Sequence, residues 1–437
     1  MIKDYTHFKI ENYILKITGV FNIDKEFLKK ANKSGYQELK FSEDFEKFSK
    51  DFFYPDLRNQ FFNNNANRHS ILVRENSENS IVNLFTYQYD GKKKSKEVEL
   101  KIIDSRLDLF DEGFGMFTLN LKVKSEKTDL TKFSDASFLA RNFETNIEHT
   151  HYEKWHQYIE NEVLLGASTR GESIKVDEYS GSKYKLFMVL DIPELVEKEI
   201  MKSLLFDVGT LSQIGSAIGN NYDSMDKNYV QQLIDKNTVS VFNNWEGLAL
   251  LDSFTVVGNS ILDSPYKKDA YSTVYHGIYL YCLFLKYNLF KYNFEIADLD
   301  EDRRSNFQDF LSKYYFNYIS YNFLPTELYN KIKTALDIEN ELRLLNEKIV
   351  AIGLKIQEEQ QGRTNVILAI VMVLSTLASI QQIQGYLVIV QKWLGLSINE
   401  TISILGILVL GTVFFVFGKP ISKWIKKKNY RKPFLLF

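Results

Sequence analysis

From Thr364 to Gln391 this chain carries no charged residue, and a second uncharged stretch runs from Thr401 to Gly418. About 20 mostly apolar residues in a helix cross the ~30 Å hydrocarbon core of a bilayer. A helix that is apolar all round needs an apolar surrounding. The first stretch, centred on Val366–Ile380, therefore predicts a transmembrane helix over 364–384. The second predicts a shorter one over 401–418, with an external loop at 385–400. The alternative is a buried helical hairpin in a protein core. Orientation follows from flanking basic residues. Lys419, Lys423, Lys426, Lys427, Lys428, Arg431 and Lys432 follow the second stretch, with no acidic residue among them. The tail 419–437 is thus expected in the cytoplasm, and two spans return the N-terminus there as well. The expected localisation is the inner (plasma) membrane, multi-pass, with the lipid bilayer as a partner.

The preceding region reads differently. Leu328, Ala335, Ile338, Leu342, Leu345, Ile349, Ile352 and Ile356 follow the alternating three- and four-residue spacing of a coiled-coil seam, broken at Lys331. A stalk helix over 325–363 is expected, with an ordinary amphipathic helix on its own domain as the alternative. Residues 1–160 read as strand-rich α+β. Glu97–Ile103 alternates polar and apolar residues, and Arg106–Phe110 and Met116–Val123 flank a turn at Asp111–Gly115. Residues 161–324 read as a second α+β part. It has a strand at Tyr184–Leu190, β-prone segments at Leu248–Leu251 and Ser253–Val257, and a core helix rather than a span at Ala270–Leu285. The expected fold class is thus an α+β cytoplasmic domain, a long heptad stalk helix and two C-terminal transmembrane helices.

Composition narrows the chemistry. With 54 Lys and Arg against 56 Asp and Glu, the net charge is −2, without the basic excess of a nucleic-acid binder, so no nucleic-acid duplex is expected. One cysteine, Cys282, can form neither an intramolecular disulfide nor a cysteine-based zinc site. The opening Met-Ile-Lys-Asp-Tyr-Thr-His shows no basic run leading into an apolar core. No phosphate-loop, nucleophile-elbow or His-Glu-x-x-His motif occurs. No nucleophile–base–acid set emerges, so no catalytic residue is assigned and no enzyme is expected. His149, His151 and His156 lie beside several glutamates, but their mixed spacing reads as a solvated face, and no metal ligand is assigned. The glycine-rich segment Val208–Asn221 could wrap an anion through backbone N–H groups, or be a plain loop. Asn220, Asn221, Asn243, Asn244 and Trp245 are the candidate ligand-binding residues, since they combine amide donors and acceptors with one flat aromatic. An ordinary turn is the alternative. In the first apolar stretch Asn365, Met372, Ser375, Ser379 and Gln382 fall on one helix face. Polar residues there line a water path or bond neighbouring helices.

A heptad helix, a span, a short external loop, a second span and a basic tail, together covering 325–437, resemble the CorA family of divalent-cation channels. The family's Gly-Met-Asn signature is absent. Ile383-Gln-Gly-Tyr-Leu387 stands in its place, with Gly385 matching the glycine. The resemblance implies a homopentamer whose first span lines a pore. The large N-terminal region is similar in organisation to CorA-like proteins encoded beside type III CRISPR systems. That implies a homo-oligomeric channel or effector of antiviral defence, gated by a small cytoplasmic ligand. The expected ligand is a nucleotide second messenger such as a conjugate of S-adenosylmethionine and AMP. The alternatives are a magnesium-type divalent-cation transporter and a membrane-anchored binding domain without a pore.

Overall fold

The structure is a computed structural model. It describes residues 4–395 apart from 25, 41–49, 51, 63–68, 77–79, 89, 112, 126–127, 170–182, 218–224 and 296–300, with a few positions beyond. For some helical residues, 376–391 among them, only the backbone is described. Met1–Leu345 form one compact unit and Asn346–Phe437 a second.

The first unit is built on one mixed sheet of eleven strands: β1 (Asn12–Asn22), β2 (Gln37–Glu38), β3 (His69–Glu75), β4 (Ile81–Tyr87), β5 (Lys94–Phe110), β6 (Phe114–Val123), β7 (Asn146–Glu148), β8 (Lys185–Asp191), β9 (Thr238–Val239), β10 (Trp245–Ala249) and β11 (Ser253–Gly258). Their order is β2-β3-β5-β6-β1-β8-β11-β10-β9, with β4 on the outer part of β5 and β7 on β4. The chain's first strand is therefore central. It pairs antiparallel with β6 on one side and β8 on the other, joining strands from both sides of residue 160. Among the described residues only β8 and β11 run parallel, and the helices between them make the required crossover.

Helices cover both faces. On one, Leu15, Ile17, Leu119, Leu186 and Met188 join a core with α2 (Leu130–Arg141) and α3 (Lys198–Thr210). Asp129 caps α2 by accepting from the Lys132 N–H. On the other face lies a continuous helical stretch: α5 (Pro265–Asp269), a π-helical turn (Ala270–Tyr275) and α6 (His276–Glu295). Ser264 caps its start and Pro265 occupies the first turn. Ile278–Leu285 are fully buried, as expected of a core helix. The Phe284 ring lies 4.4 Å from that of Phe110, and Tyr279 packs on Phe187 and Phe254. Further helices are α1 (Phe27–Lys33), α4 (Lys227–Asn237), α7 (Glu301–Tyr314), α8 (Phe323–Ala335) and α9 (Ile338–Leu394).

Three expectations are corrected. The stalk is not one helix from Pro325. Asp337, at φ 56°, separates α8 from α9, and Leu328, Ile338 and Leu345 are buried in the first unit. The two C-terminal transmembrane helices are not found. Among the described residues no helix is long and apolar enough to cross a membrane. The described apolar side chains of the first stretch, Val366–Ser375, follow the charged Glu358, Glu359 and Arg363. The second stretch at 401–418 and the tail at 419–437 lie almost wholly outside the described residues. The multi-pass inner-membrane localisation and the reading as a membrane ion channel fall with those helices. In their place stands a large mixed sheet with helices on both faces.

Two glycines fix how β1 meets β6. Gly19 pairs with Phe117 and Phe21 with Gly115, so each ring lies over the opposite glycine. A Cβ on Gly115 would sit 2.5 Å from Phe21 Cζ, and one on Gly19 would sit 2.6 Å from Phe117 Cε1. Gly115→Ala is therefore expected to cost about 1–3 kcal/mol in urea unfolding, as overpacking does. Gly113→Ala, beside open space, should cost only the strain of its positive φ; equal losses would contradict the ring-over-glycine account.

Candidate functional site

Strand β5 places Asp104, Arg106 and Asp108 on alternate positions, and hence on one sheet face, while Ser105, Leu107 and Leu109 take the other. Across the sheet Asp104 lies opposite Asn120 and Arg106 opposite Thr118. Thr118 in turn faces Thr18, and Asn120 faces Lys16. Lys16 also pairs with Phe187 on β8. Such a row of charges reads locally as a solvated face, but here the start of α6 covers part of it. Lys16 Nζ donates to the Ser272 carbonyl at 2.8 Å, and the Phe187 ring meets His276 edge-on at 5.1 Å.

The row runs from wet to dry. Lys16, Asp104, Arg106 and Asn120 are half-buried, whereas Thr18, Asp108, Thr118 and His276 are buried. At the dry end the pairing is tight. Arg106 donates to Asp108 twice, Nε to Oδ2 at 2.8 Å and Nη2 to Oδ1 at 2.6 Å. The His69 ring lies 3.1 Å from the same carboxylate and stacks on Phe110. Burial raises the Asp108 pKa, but the charge of Arg106 and the bonds from His69 and Arg106 outweigh it and bring it down to about 2. Asn120 Nδ2 donates to Asp104 at 2.9 Å, and the Thr18 and Thr118 hydroxyls share a bond of 3.1 Å.

His276 is the exception. It is 1% exposed, and among the described residues neither ring nitrogen has a hydrogen-bond partner. Burial, reinforced by the positive charges of Lys16 and Arg106, holds its pKa well below the ordinary histidine value. It is a neutral imidazole, with one donor and one acceptor both unused. An unmade buried bond costs about 1–3 kcal/mol, and such an orphan asks for a water or a ligand. The Tyr279 hydroxyl on the next turn of α6 is orphaned too. Burial also lowers the Lys16 pKa to about 8, against the pull of Asp104 and Asp108 and with Arg106 acting the same way as burial. Where α6 crosses this row, hydrogen-bonding groups thus remain without a partner among the described residues.

The residues expected from sequence lie elsewhere. Trp245 is buried at 4% exposure against Phe242, so its face is not open to stack on a base. Asn243 is an exposed turn residue, and Asn244 donates to the Asn259 carbonyl across the β10–β11 end. Asn220 and Asn221 lie outside the described residues. The glycine-rich segment does wrap an anion, but the chain's own. Asp207 accepts from the Gly215 and Ala217 N–H groups, the Ser216 hydroxyl and the Tyr5 hydroxyl. Asn365, Met372 and Ser375 are exposed on α9, and so are their apolar neighbours Leu368, Val371 and Leu374. The side chains of Ser379 and Gln382 lie outside the described residues. The three histidines are not brought together: His156 sits buried with Nδ1 3.1 Å from the Phe143 carbonyl oxygen, while His151 is exposed. Among the described residues no group of three or more His, Cys, Asp or Glu is placed to hold a metal. The Asp-x-Arg-x-Asp alternation of β5 and the lone His276 in an apolar helix were the available signals for the cleft.

No family model matches this chain, and no curated protein or solved structure matches it.

The Lys16 ammonium sets a pH test. Its folded pKa, about 8, lies below the 10.5 of a free lysine. Between those values the unfolded chain binds a proton that the folded chain does not, so stability rises with pH there. Below pH 8 the fold carries a desolvated charge. Lys16→Met should therefore be more stable than wild type at pH 7, with the gap narrowing as pH climbs from 8 toward 10.5. A constant gap measured by chemical denaturation across that range would contradict a buried ammonium.

Proposed function

We propose that this chain is a ligand-responsive effector that works as a homo-oligomer. In this reading the cleft over β1, β5 and β6 takes a small polar ligand, and α9 holds copies of the chain together. The observation that carries the ligand half is His276, a buried imidazole with two unused nitrogens beside Lys16 and Arg106. A buried imidazole left without a partner calls for an explanation, and a bound ligand supplies one.

The assembly half draws on the seam of α9. On that seam Ile352 is half-buried and Ile356 is 36% exposed, and off it Val350 and Leu354 are exposed at 60% and 57% within one chain. Val366, Ile367, Leu368, Ile370, Val371, Met372 and Leu374 are exposed as well. Contiguous apolar surface of this kind marks interaction sites, and heptad spacing suits packing against like helices. A ligand that prefers one arrangement of the oligomer would shift its population. A conducting path through a membrane is no part of this reading.

Two measurements test the two halves. Ile352→Asp with Ile356→Asp should reduce the oligomer in light scattering while leaving the unfolding of the first unit unchanged, since charge at seam positions is poorly tolerated. An unaltered mass would refute assembly through this seam. For the ligand half, a thermal-shift screen of small polar molecules should find compounds that stabilise wild type but not His276→Phe. The phenyl ring keeps the packing on Phe187 and deletes both nitrogens. If no compound separates the two proteins, the ligand reading fails.

A further inference from the structure

Which chemistry the cleft selects follows from what its groups have left to give, an inference that rests on the ligand reading above. We propose that Lys16, Arg106 and His276 form a subsite for an anionic oxygen group, a phosphate or carboxylate carried by the ligand.

Lys16 and His276 keep donors to give. Lys16 spends one ammonium N–H on the Ser272 carbonyl, leaving two of its three. His276 has spent none among the described residues. The two carboxylates on the sheet are engaged in part. Asp108 receives two bonds from Arg106 and lies within bonding distance of His69, and Asp104 receives one from Asn120. The charges that act on the His276 ring are those of Lys16 and Arg106, both positive. An oxyanion placed there meets the Lys16 ammonium and an unused N–H of His276, while Arg106, already paired with Asp108, adds its charge from behind that pair. Access lies on the half-exposed side, where Lys16, Asp104 and Asn120 still reach solvent. Asp104 also sets a limit: ligand atoms beside it must be neutral or cationic, so a ligand anionic at every point fits poorly.

The rival candidates lack this surplus. Asp207 already holds the N–H groups of its loop. Glu246 has one orphaned oxygen, but its other oxygen accepts from Ser240, with Lys198 at 3.4 Å.

The experiment titrates the full chain with inorganic phosphate and, separately, with acetate, each against chloride at matched ionic strength. Wild type is compared with His276→Phe, Lys16→Met and Lys122→Met, the last a solvent-exposed lysine further along β6. Phosphate or acetate should raise the melting temperature of wild type and of Lys122→Met beyond the chloride control. In His276→Phe and Lys16→Met the apparent affinity should fall at least tenfold. Protection by phosphate alone assigns the group as phosphate, and protection by acetate alone assigns it as carboxylate. An equal response in all four proteins, or none in wild type, overturns the anionic subsite. If neutral molecules from the screen still separate wild type from His276→Phe while both anions are silent, only the ligand class is wrong. If no molecule of any charge does so, the ligand site itself is refuted.

Discussion

A sheet covered on both faces leaves its charged side chains little water to turn to, so each must find a partner inside the fold or remain at an edge. This constraint organises the first unit. Lys185, buried on β8, meets Asp252 at 2.5 Å, with Arg141 3.9 Å from the same carboxylate. Asp191 at the end of β8 accepts from the backbone N–H groups of Ile261 and Leu262, which draws the chain back over the sheet toward α5. Asp108 gathers Arg106 and His69, and Asp207 gathers a whole loop. Breaking such a pair by removing one partner leaves a buried charge, which costs about 3–5 kcal/mol. Where the matching fails, at His276 and around Lys16, the fold tolerates an expense that packing alone does not explain.

The covering helix makes that failure possible. α6 is held by aromatic contacts with Phe110, Phe114, Phe187 and Phe254, and further along by the Tyr281 hydroxyl, which donates to the Tyr314 carbonyl. Gly277 lets the Phe62 ring approach to within 2.3 Å of where a Cβ would stand. Apolar packing thus fixes the position of His276, while the polar strands below fix Lys16 and Arg106. A binding group set on rigid elements from two layers is already oriented before any ligand arrives. The same two-layer origin links the cleft to α9, because Lys286 on α6 pairs with Glu341 in the first turns of that helix.

Much of the local structure was legible. The β5–β6 hairpin about Asp111–Gly115, strand β8, strand β11 and the core helix at 270–285 all followed from alternation, turn residues and apolar length. The cleft was not, because its members come from residues 16, 104–108, 118–120 and 276, which only strand pairing across the sheet brings together. Asp104, Arg106 and Asp108 alternate just as an exposed face would, and nothing local announces that α6 lies on them. The heptads misled for a related reason. Spacing shows that a helix has an apolar stripe, but Leu328, Ile338 and Leu345 use that stripe against their own domain. Val350 and Leu354, off the same stripe, remain uncovered in one chain.

Periodicity by itself placed β5, β6, β8 and the core helix, since the alternation of side chains is a property of a single segment. Composition by itself excluded a cysteine-based zinc site. What covers each face was decided only by the tertiary structure. A buried and a solvated charge look alike in a sequence, and they differ by the dielectric of neighbours that arrive from more than a hundred residues away. The fold brings Lys16 on β1 and His276 on α6 to Phe187 on β8, and so to one face of the sheet.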